Sequence, residues 1–590
     1  MPENMPHDEP PIHADTSIAR NGANQAKRPG AMVALCASAI PILYLAYYIY
    51  AFSSALPVKD QWDEAPFIVS VKEGHLNLSQ LFHFRGEHCI VVPRLLFAGL
   101  ALLFNWDNRA ECWLTFVFTA VTFGLLCRLV LKDRERGEIV GLVALVVAAI
   151  FLFSTTQWQN WLWGFQLAWP IPVLVLTVAI SSLYRWRESI ITGIVITAAT
   201  ITAVLSMGTG FIVPLILLVV LGGRYLRSRD RRMLPCVALC ACLAALSLGF
   251  FFTNQSPGAG ATHFGINSLQ GIAVLLANPF LDYTRSVPGS LLGFLLFAFV
   301  VSIVLIVLFI WFSVRGFRAN AFESPLFSIG FALAAWALLS VMAITLARSH
   351  LGFEGLAQSR YISYAVLLPV GVSFMAVALL RRRDMPARGV TLCRTWIFLS
   401  IGLAVMPLRG EPSRLQWGRD MHEVYITLTE FVKVAPVFPI ESELQRICPQ
   451  ANRLAVIHAV ARSRLIRGMV PPGKDLPAPM VQMHEPVGNI DAIVRTESGS
   501  ELNGWCAFLD ARGIPDAVFL GTPNPDGSVE LLAPIVERKG HRPDVAAKGG
   551  PLESGWHLRL PPEYAGKTVT LFAYDWSSNK FYRSQGEWQL

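Results

Sequence analysis

The chain has 590 residues, of which 53% are hydrophobic and only 15% charged. A soluble protein carries about 25% charged residues, so this composition excludes an ordinary soluble domain and points to a chain that crosses a membrane many times. The net charge of +8 is not a nucleic-acid signature, because the Lys and Arg residues lie mostly in short connections between apolar runs, where they orient a protein in the bilayer.

Residues 1–30 are polar and rich in Pro, Ala and Asn, with no apolar core before Ala31. They read as a disordered cytoplasmic tail rather than a signal peptide. A helix needs about 20 apolar residues to cross a bilayer. Eleven runs come close, near 31–52, 110–131, 138–154, 167–184, 189–205, 210–222, 233–252, 289–314, 325–346, 361–380 and 391–407. These define a transmembrane domain over 31–407 with a first outer loop at 53–109. Within that loop, the run from Ile90 to Phe104 is shorter and carries Pro93 and Arg94, which predicts a helix lying at the interface.

Charge sets the orientation. The connections holding Lys132, Arg134 and Arg136, then Arg185 and Arg187, Arg224 to Arg232, Arg315 and Arg318, and Arg381 to Arg388 are basic. The alternate connections at 155–166 and 206–209 carry no Lys or Arg, and 253–288 carries only Arg285. This pattern places the N-terminus in the cytoplasm and the first loop, the 253–288 connection and the C-terminal region on the other side. Trp158, Trp161, Trp163 and Trp169 at one outer turn read as an aromatic belt, with a lipid or sugar groove as the alternative. Met207, Gly208 and Gly210 allow a tight turn below the outer surface. The Gly-rich start of the 253–288 connection, followed by an amphipathic stretch near 268–281, predicts a lid over an outer cavity.

After Pro407 the composition changes. Residues 408–480 read as a helical connector and linker, with helical spacing at 417–433 and 451–467 before the Pro-rich run 471–479. From 481 to 590 short β-runs such as AIVRT, DAVFLG and TVTLFAYD alternate with turns, as expected of an extracytoplasmic β-sandwich. The fold class is therefore a polytopic α-helical membrane protein with a C-terminal all-β domain. The ten cysteines form no framework. Cys236, Cys240 and Cys242 have no His or acid nearby, so no metal site is expected there, while Cys89, Cys448 and Cys506 leave one disulfide open on the oxidising side.

The polar chemistry concentrates in residues 57–94. Asp60, Asp63 and Glu64 fall within five residues, and Glu87, His88 and Arg94 follow. Acids at a membrane surface mark a site, an ion pair or a merely solvated loop. A first outer loop with a short acidic motif, an amphipathic return and a long series of spans resembles the GT-C superfamily of integral-membrane glycosyltransferases. The nearest likeness is to bacterial multi-span proteins whose first loop reads like DDWD, then an NEHR-type stretch and Pro-Arg-Leu. The matching residues are Asp60, Trp62 and Asp63, then Glu87 and His88, then Pro93, Arg94 and Leu95. Cys89 departs from that pattern, standing where Arg is more usual, and Lys59 precedes Asp60. Ser359-Arg360-Tyr361, with Pro369 beyond, is similar to the Arg-Tyr-Leu-Leu-Pro run of protein mannosyltransferases and aminoarabinose transferases.

The resemblance implies an enzyme that moves a sugar from a polyprenyl-phosphate donor to a glycan or lipid acceptor of the cell envelope, with inversion at the anomeric carbon. Its expected partners are the lipid-linked sugar, the acceptor and membrane lipids, with no nucleic acid and no cofactor. Such chemistry needs a carboxylate as general base, for which Asp63 is the first candidate, with Asp60 and Glu64 behind it. It also needs a guanidinium on the leaving phosphate, for which Arg360 precedes Arg94. Glu87 and His88 would orient the acceptor or the base. The plainer readings pair Asp63 with Lys59, let Arg360 snorkel to headgroups, and make His88 a hydrogen-bonded interface residue. Alternatives for the whole chain are a carrier or flippase of lipid-linked saccharides, and a surface-polysaccharide polymerase or ligase. The absence of a visible internal repeat and the one-sided acids favour an enzyme over a carrier.

Overall fold

The computed structural model describes residues 28–86, 88–132, 138–186, 189–253, 266–281, 291–448, 452–472, 481–482, 487–509, 512–523 and 529–590. The chain folds as a helical bundle, a polar helical connector and a C-terminal all-β domain. Among the described residues, ten helical stretches are long and apolar enough to cross a membrane.

The helices that position the site are α1 (Arg28–Phe52), α2 (Val91–Phe104), α3 (Asn108–Lys132), α4 (Glu138–Leu152), α5 (Pro170–Arg185), α6 (Ile190–Val204) and α7 (Ile212–Ser228). They are followed by α8 (Leu234–Thr253), α9 (Ile266–Leu281), α10 (Leu291–Arg318), α11 (Pro325–Arg348), α12 (Leu367–Leu380) and α13 (Ala387–Val405). The expected span at 189–205 is α6, with 15 residues, about 22 Å long and shorter than a hydrocarbon core of about 30 Å. It is therefore one of the shorter apolar helices and not one of the ten long enough to cross. Its cap, Ser189, follows the basic Arg185 connection, and at its far end Leu205 accepts a hydrogen bond from the Val92 amide at 2.9 Å in the first loop.

Alternate connections gather at opposite ends. At one end Arg224 lies 3.7 Å from Glu323, Arg315 donates to the Asp384 carbonyl at 3.1 Å, and Arg381 donates to the Val130 carbonyl at 3.3 Å. At the other end the first loop, the 155–166 turn, the 206–211 turn and Ser359–Tyr361 interlock. The basic pattern of the sequence is thus a property of one end of the molecule.

At the centre, α12 is buried along almost its whole length and packs on α11. Lipid tails are as apolar as leucine, so helices in a bilayer associate through close packing. Gly330 and Gly371 permit it here: a Cβ on Gly371 would lie 2.4 Å from the Gly330 carbonyl oxygen.

Two expectations are corrected. Trp161, Trp163 and Trp169 are buried within the protein, and Trp158 packs on Trp417 with ring centroids 3.6 Å apart. They form the interior of the end opposite the basic connections rather than a belt facing lipid, because the first loop and connector roof the turn that carries them. The segment expected as a lid is α9, whose Val274 to Ala277 and Phe280 are core residues and whose Asn278 donates to the Ala357 carbonyl at 2.8 Å. The Gly-rich stretch before it lies outside the described residues. All ten cysteines are free thiols, with Cys89, Cys448 and Cys506 buried.

Beyond a 3₁₀ turn at Met406–Gly410 the chain continues as α14 (Glu411–Val434), α15 (Glu441–Ile447) and α16 (Arg453–Arg462). A buried network pins α14 to the bundle: Tyr44 donates to Glu411 at 3.0 Å, and Arg414 donates to Glu411 at 2.8 Å and to Thr155 at 3.1 Å. The β domain has two sheets. One holds β1 (Val481–Gln482), β4 (Ala517–Pro523), β5 (Val529–Pro534), β8 (Thr568–Asp575), β9 (Lys580–Arg583) and β10 (Trp588–Gln589); the other orders β2 (Gly488–Thr496), β3 (Gly499–Cys506), β7 (Gly555–Leu560) and β6 (Glu537–Gly540). Pairing is antiparallel except between β1 and β9.

Alternation along β4 and β8 divides their side chains between two cores. Val518, Leu520, Val569 and Leu571 meet the second sheet. Phe519, Phe572 and Tyr574 belong instead to a core shared with Leu428 and Phe431 of α14, Ile457 of α16, and Trp62, Phe67 and Ile68 of the first loop. Arg538 fastens the same contact by donating to Glu430 and to the Pro515 and Asp516 carbonyls at 2.7 and 2.9 Å.

Candidate functional site

The acidic motif folds as a 3₁₀ turn, Lys59–Glu64. With three residues per turn, positions three apart eclipse, so Asp60 and Asp63 share one side while Gln61 and Glu64 share the other. The second pair is buried. Gln61 accepts from the Val58 amide at 3.0 Å and donates to Glu111 at the start of α3. Trp62 is fully buried and donates its indole N–H to the Pro57 carbonyl at 2.8 Å. The outer side of the turn leaves Asp60 and Asp63 partly exposed, at 41% and 33% of their side chains.

The cation on this pair is Arg85. It lies 3.2 Å from the Asp60 carboxylate, donates to the Asp60 carbonyl at 2.7 Å, pairs with Asp63, and reaches Glu64 at 3.7 Å. Burial lowers the pKa of Arg85 and the Asp60 carboxylate opposes that shift. Lys59, the partner weighed for Asp63 in the sequence, is exposed. The Arg85 guanidinium also sits over the Phe165 ring, 4.7 Å from its centroid.

Arg94 is enclosed. Its Nε donates to Glu64 at 2.5 Å, and its Nη1 donates to the carbonyls of Gln80, Leu81 and His83 at 2.9, 2.7 and 3.0 Å. These bonds tie α2 to the 3₁₀ turn and to the chain between them. Removing one partner of a buried pair costs about 3–5 kcal/mol, so Arg94 and Glu64 hold the loop's shape.

His88 lies across the turn from Arg85, and Glu87 between them falls outside the described residues. The His88 Nδ1 accepts from the Gly208 amide at 3.0 Å. Arg348 Nη2 lies 3.3 Å from Nε2, so each ring nitrogen faces a donor. Arg348 Nη1 also donates to the Tyr361 hydroxyl at 2.6 Å, and Arg360 Nη2 approaches the same oxygen at 3.3 Å. Two guanidinium groups therefore meet at the Tyr361 hydroxyl, with the His88 ring beside one of them, an arrangement that suits an anion with several acceptor oxygens.

Arg360 is set by its backbone. Its amide and the Ser359 hydroxyl donate to Gln159 Oε1 at 3.0 and 3.2 Å, and Asn160 donates to the Arg360 carbonyl at 3.2 Å. Its guanidinium lies 6.0 Å from the Trp163 ring centroid and 5.1 Å from that of Tyr361. Trp163 and Phe165 stack at 5.9 Å, so the two aromatic rings link Arg360 to Arg85. The carboxylate pair and the donor cluster thus stand on the two sides of the 85–88 turn, joined beneath by an aromatic floor. His350 and Glu354 are exposed.

The sequence reading missed Arg85, Arg348, Gln159 and Asn160. A positional signal marks Arg348: it closes α11 at the end opposite the basic connections. No protein-family model matches this chain, and no curated protein matches it. Among the described residues, no group of three or more His, Cys, Asp and Glu is placed to hold a metal ion.

Proposed function

We propose that this chain is a membrane glycosyltransferase of GT-C type. It moves a sugar from a polyprenyl-phosphate donor to a hydroxyl of a cell-envelope glycan or lipid, on the face opposite the N-terminus of a bacterial inner membrane. The observation that carries the reading is the 85–88 turn, which sets a carboxylate pair on one side and a convergent set of anion-binding donors on the other.

In this reading Arg348 and Arg360, with His88 beside Arg348, take the phosphate of the donor, and bidentate guanidinium contacts hold the charge that grows as the sugar–phosphate bond breaks. Asp63 accepts the proton of the acceptor hydroxyl as that oxygen bonds to the anomeric carbon. Arg85 pairs with Asp63 and aims it, and Asp60 shares the same cation. Trp163 and Phe165 offer flat apolar faces on which a sugar ring or the first isoprene unit can lie. Attack from the carboxylate side with departure toward the arginine side is an in-line displacement, which inverts the anomeric centre.

The test is direct. Asp63→Asn keeps size and removes the base, so transfer falls about 10²- to 10⁴-fold while lipid-donor binding persists. Full transfer by the purified, normally folded variant overturns the assignment to Asp63. Intact transfer in single variants of Asp60, Asp63 and Glu64 overturns the acidic cluster as the catalytic site.

A further inference from the structure

A second polar site lies at the opposite, basic end of the bundle. A cavity of about 830 Å³ opens there between α3, α5, α7 and α11, within the range of about 300–1,000 Å³ usual for small-molecule sites. Its apolar lining comes from membrane-spanning helices, including Leu129, Val178 and Leu326, while Arg128, Arg185 and Arg224 supply the charge. Arg224 is buried, and its guanidinium sits 4.8 Å from the Tyr184 ring centroid. That ring is fixed, because the Tyr184 hydroxyl donates to the Phe322 carbonyl at 2.5 Å and lies 2.6 Å from the Ser328 hydroxyl. Arg128 and Arg185 are exposed, and Arg185 lies over Trp186, itself an exposed indole.

The lining also holds Asp230 and Glu323. Asp230 is occupied as a cap, accepting from the Arg232 amide at 3.0 Å. Glu323 is 43% exposed and stands 3.7 Å from Arg224, a loose pair. Arginines that only fix topology need neither a cavity nor a buried member stacked on an anchored phenol. Here a cationic rim, an interfacial tryptophan and apolar helix faces line one space, which is the chemistry of an amphiphile with an anionic head.

We propose that this cavity binds the phosphate group of an anionic membrane lipid, with an acyl chain along the Leu129, Val178 and Leu326 side. The site is separate from the proposed transfer centre, and its test does not depend on any transfer activity. The full chain, purified in a neutral detergent, is titrated with phosphatidylglycerol, with phosphatidylcholine and with inorganic phosphate, and followed by native mass spectrometry and thermal melting. Phosphatidylglycerol is expected to remain bound and to raise the melting midpoint, while phosphatidylcholine does neither. The rim double variant Arg128→Ala/Arg185→Ala, whose exposed positions leave the lipid-free melting midpoint unchanged, should bind phosphatidylglycerol about 30-fold more weakly, from roughly one decade and a half lost with two near-surface cations. Equal binding of both lipids, or unchanged affinity in the double variant, overturns the proposal. Protection by inorganic phosphate alone, at concentrations matching the lipid, overturns the lipid and leaves a site for a soluble phosphate.

Discussion

Arg85 and His88 exchange backbone hydrogen bonds across a tight turn, each amide donating to the other's carbonyl at 2.9 Å. The side chains then part: Arg85 turns to Asp60 and Asp63, and His88 to Gly208 and Arg348. Any change in this turn moves both halves of the candidate site together.

The coupling of Arg85 to Asp63 is measurable. Arg85→Ala should reduce transfer nearly as much as Asp63→Asn, and the double variant should be little worse than either, because residues acting as a unit are not additive. Arg85→Lys keeps the charge but loses the planar fork that spans both acids, so it should restore only part of the rate. Additive losses in a double-mutant cycle would mean that Arg85 does not act through Asp63.

Donor affinity should track the opposite side of the turn. Arg348→Ala and Arg360→Ala each remove charge-assisted hydrogen bonds worth about 1.5–3 kcal/mol, so binding of a polyprenyl-phosphate sugar should weaken about 10- to 100-fold. Tyr361→Phe removes the oxygen on which both guanidiniums converge and should weaken binding less. A donor affinity indifferent to both arginines would place the phosphate elsewhere.

Arg94 should behave as a structural residue. Arg94→Ala leaves Glu64 buried without its main cation and three carbonyls without their donor, at a cost of about 3–5 kcal/mol. The expected result is a lower melting midpoint together with lost activity, in contrast to Asp63→Asn, which should melt like the native protein.

Orientation can be tested by single cysteines in a cysteine-free background. Cysteines replacing the exposed Lys59 and Arg559 should react with a membrane-impermeant maleimide added to intact cells. Those replacing Arg231 and Asp384 at the basic end should react only after the membrane is opened. The reverse pattern would invert the topology.

The β domain should fold well only with its helical partner. A fragment of residues 481–590 exposes Phe519, Phe572 and Phe581, which face the connector, whereas a fragment beginning at Glu411 keeps Leu428, Phe431 and Ile457 against them. The longer fragment should melt cooperatively and at higher temperature. A shorter fragment of equal stability would mean that the shared core contributes little.

The helical architecture was legible because apolar length is a local property: each span can be counted without knowing its neighbours. Even the short α6 was visible in outline, since basic residues precede it and a glycine turn follows. The tryptophans were misread because a belt and a buried core place indoles at the same spacing, and only the roof formed by residues 57–72 and α14 distinguishes them. Likewise α9 has the amphipathic pattern of a lid, but its apolar face is matched by residues far along the chain. Asp60, Asp63 and Arg360 stood out as charges in unusual places. Arg85 and Arg348 did not, because their importance lies in which groups they meet, and those partners come from loops up to 260 residues apart.

The core that joins Trp62 to Phe581 has a consequence for how the protein is made. At roughly 5–20 residues per second, about half a minute to two minutes separate the emergence of the first loop from that of the last strands that cover it. Throughout that interval the apolar underside of the loop waits uncovered while every later helix is inserted. A chain ending early in the β domain would therefore carry its full set of spans and both halves of the acidic and basic cluster, yet present a greasy, unroofed surface to chaperones and proteases. Quality control of this protein is expected to read its C-terminus through the condition of its N-terminal loop.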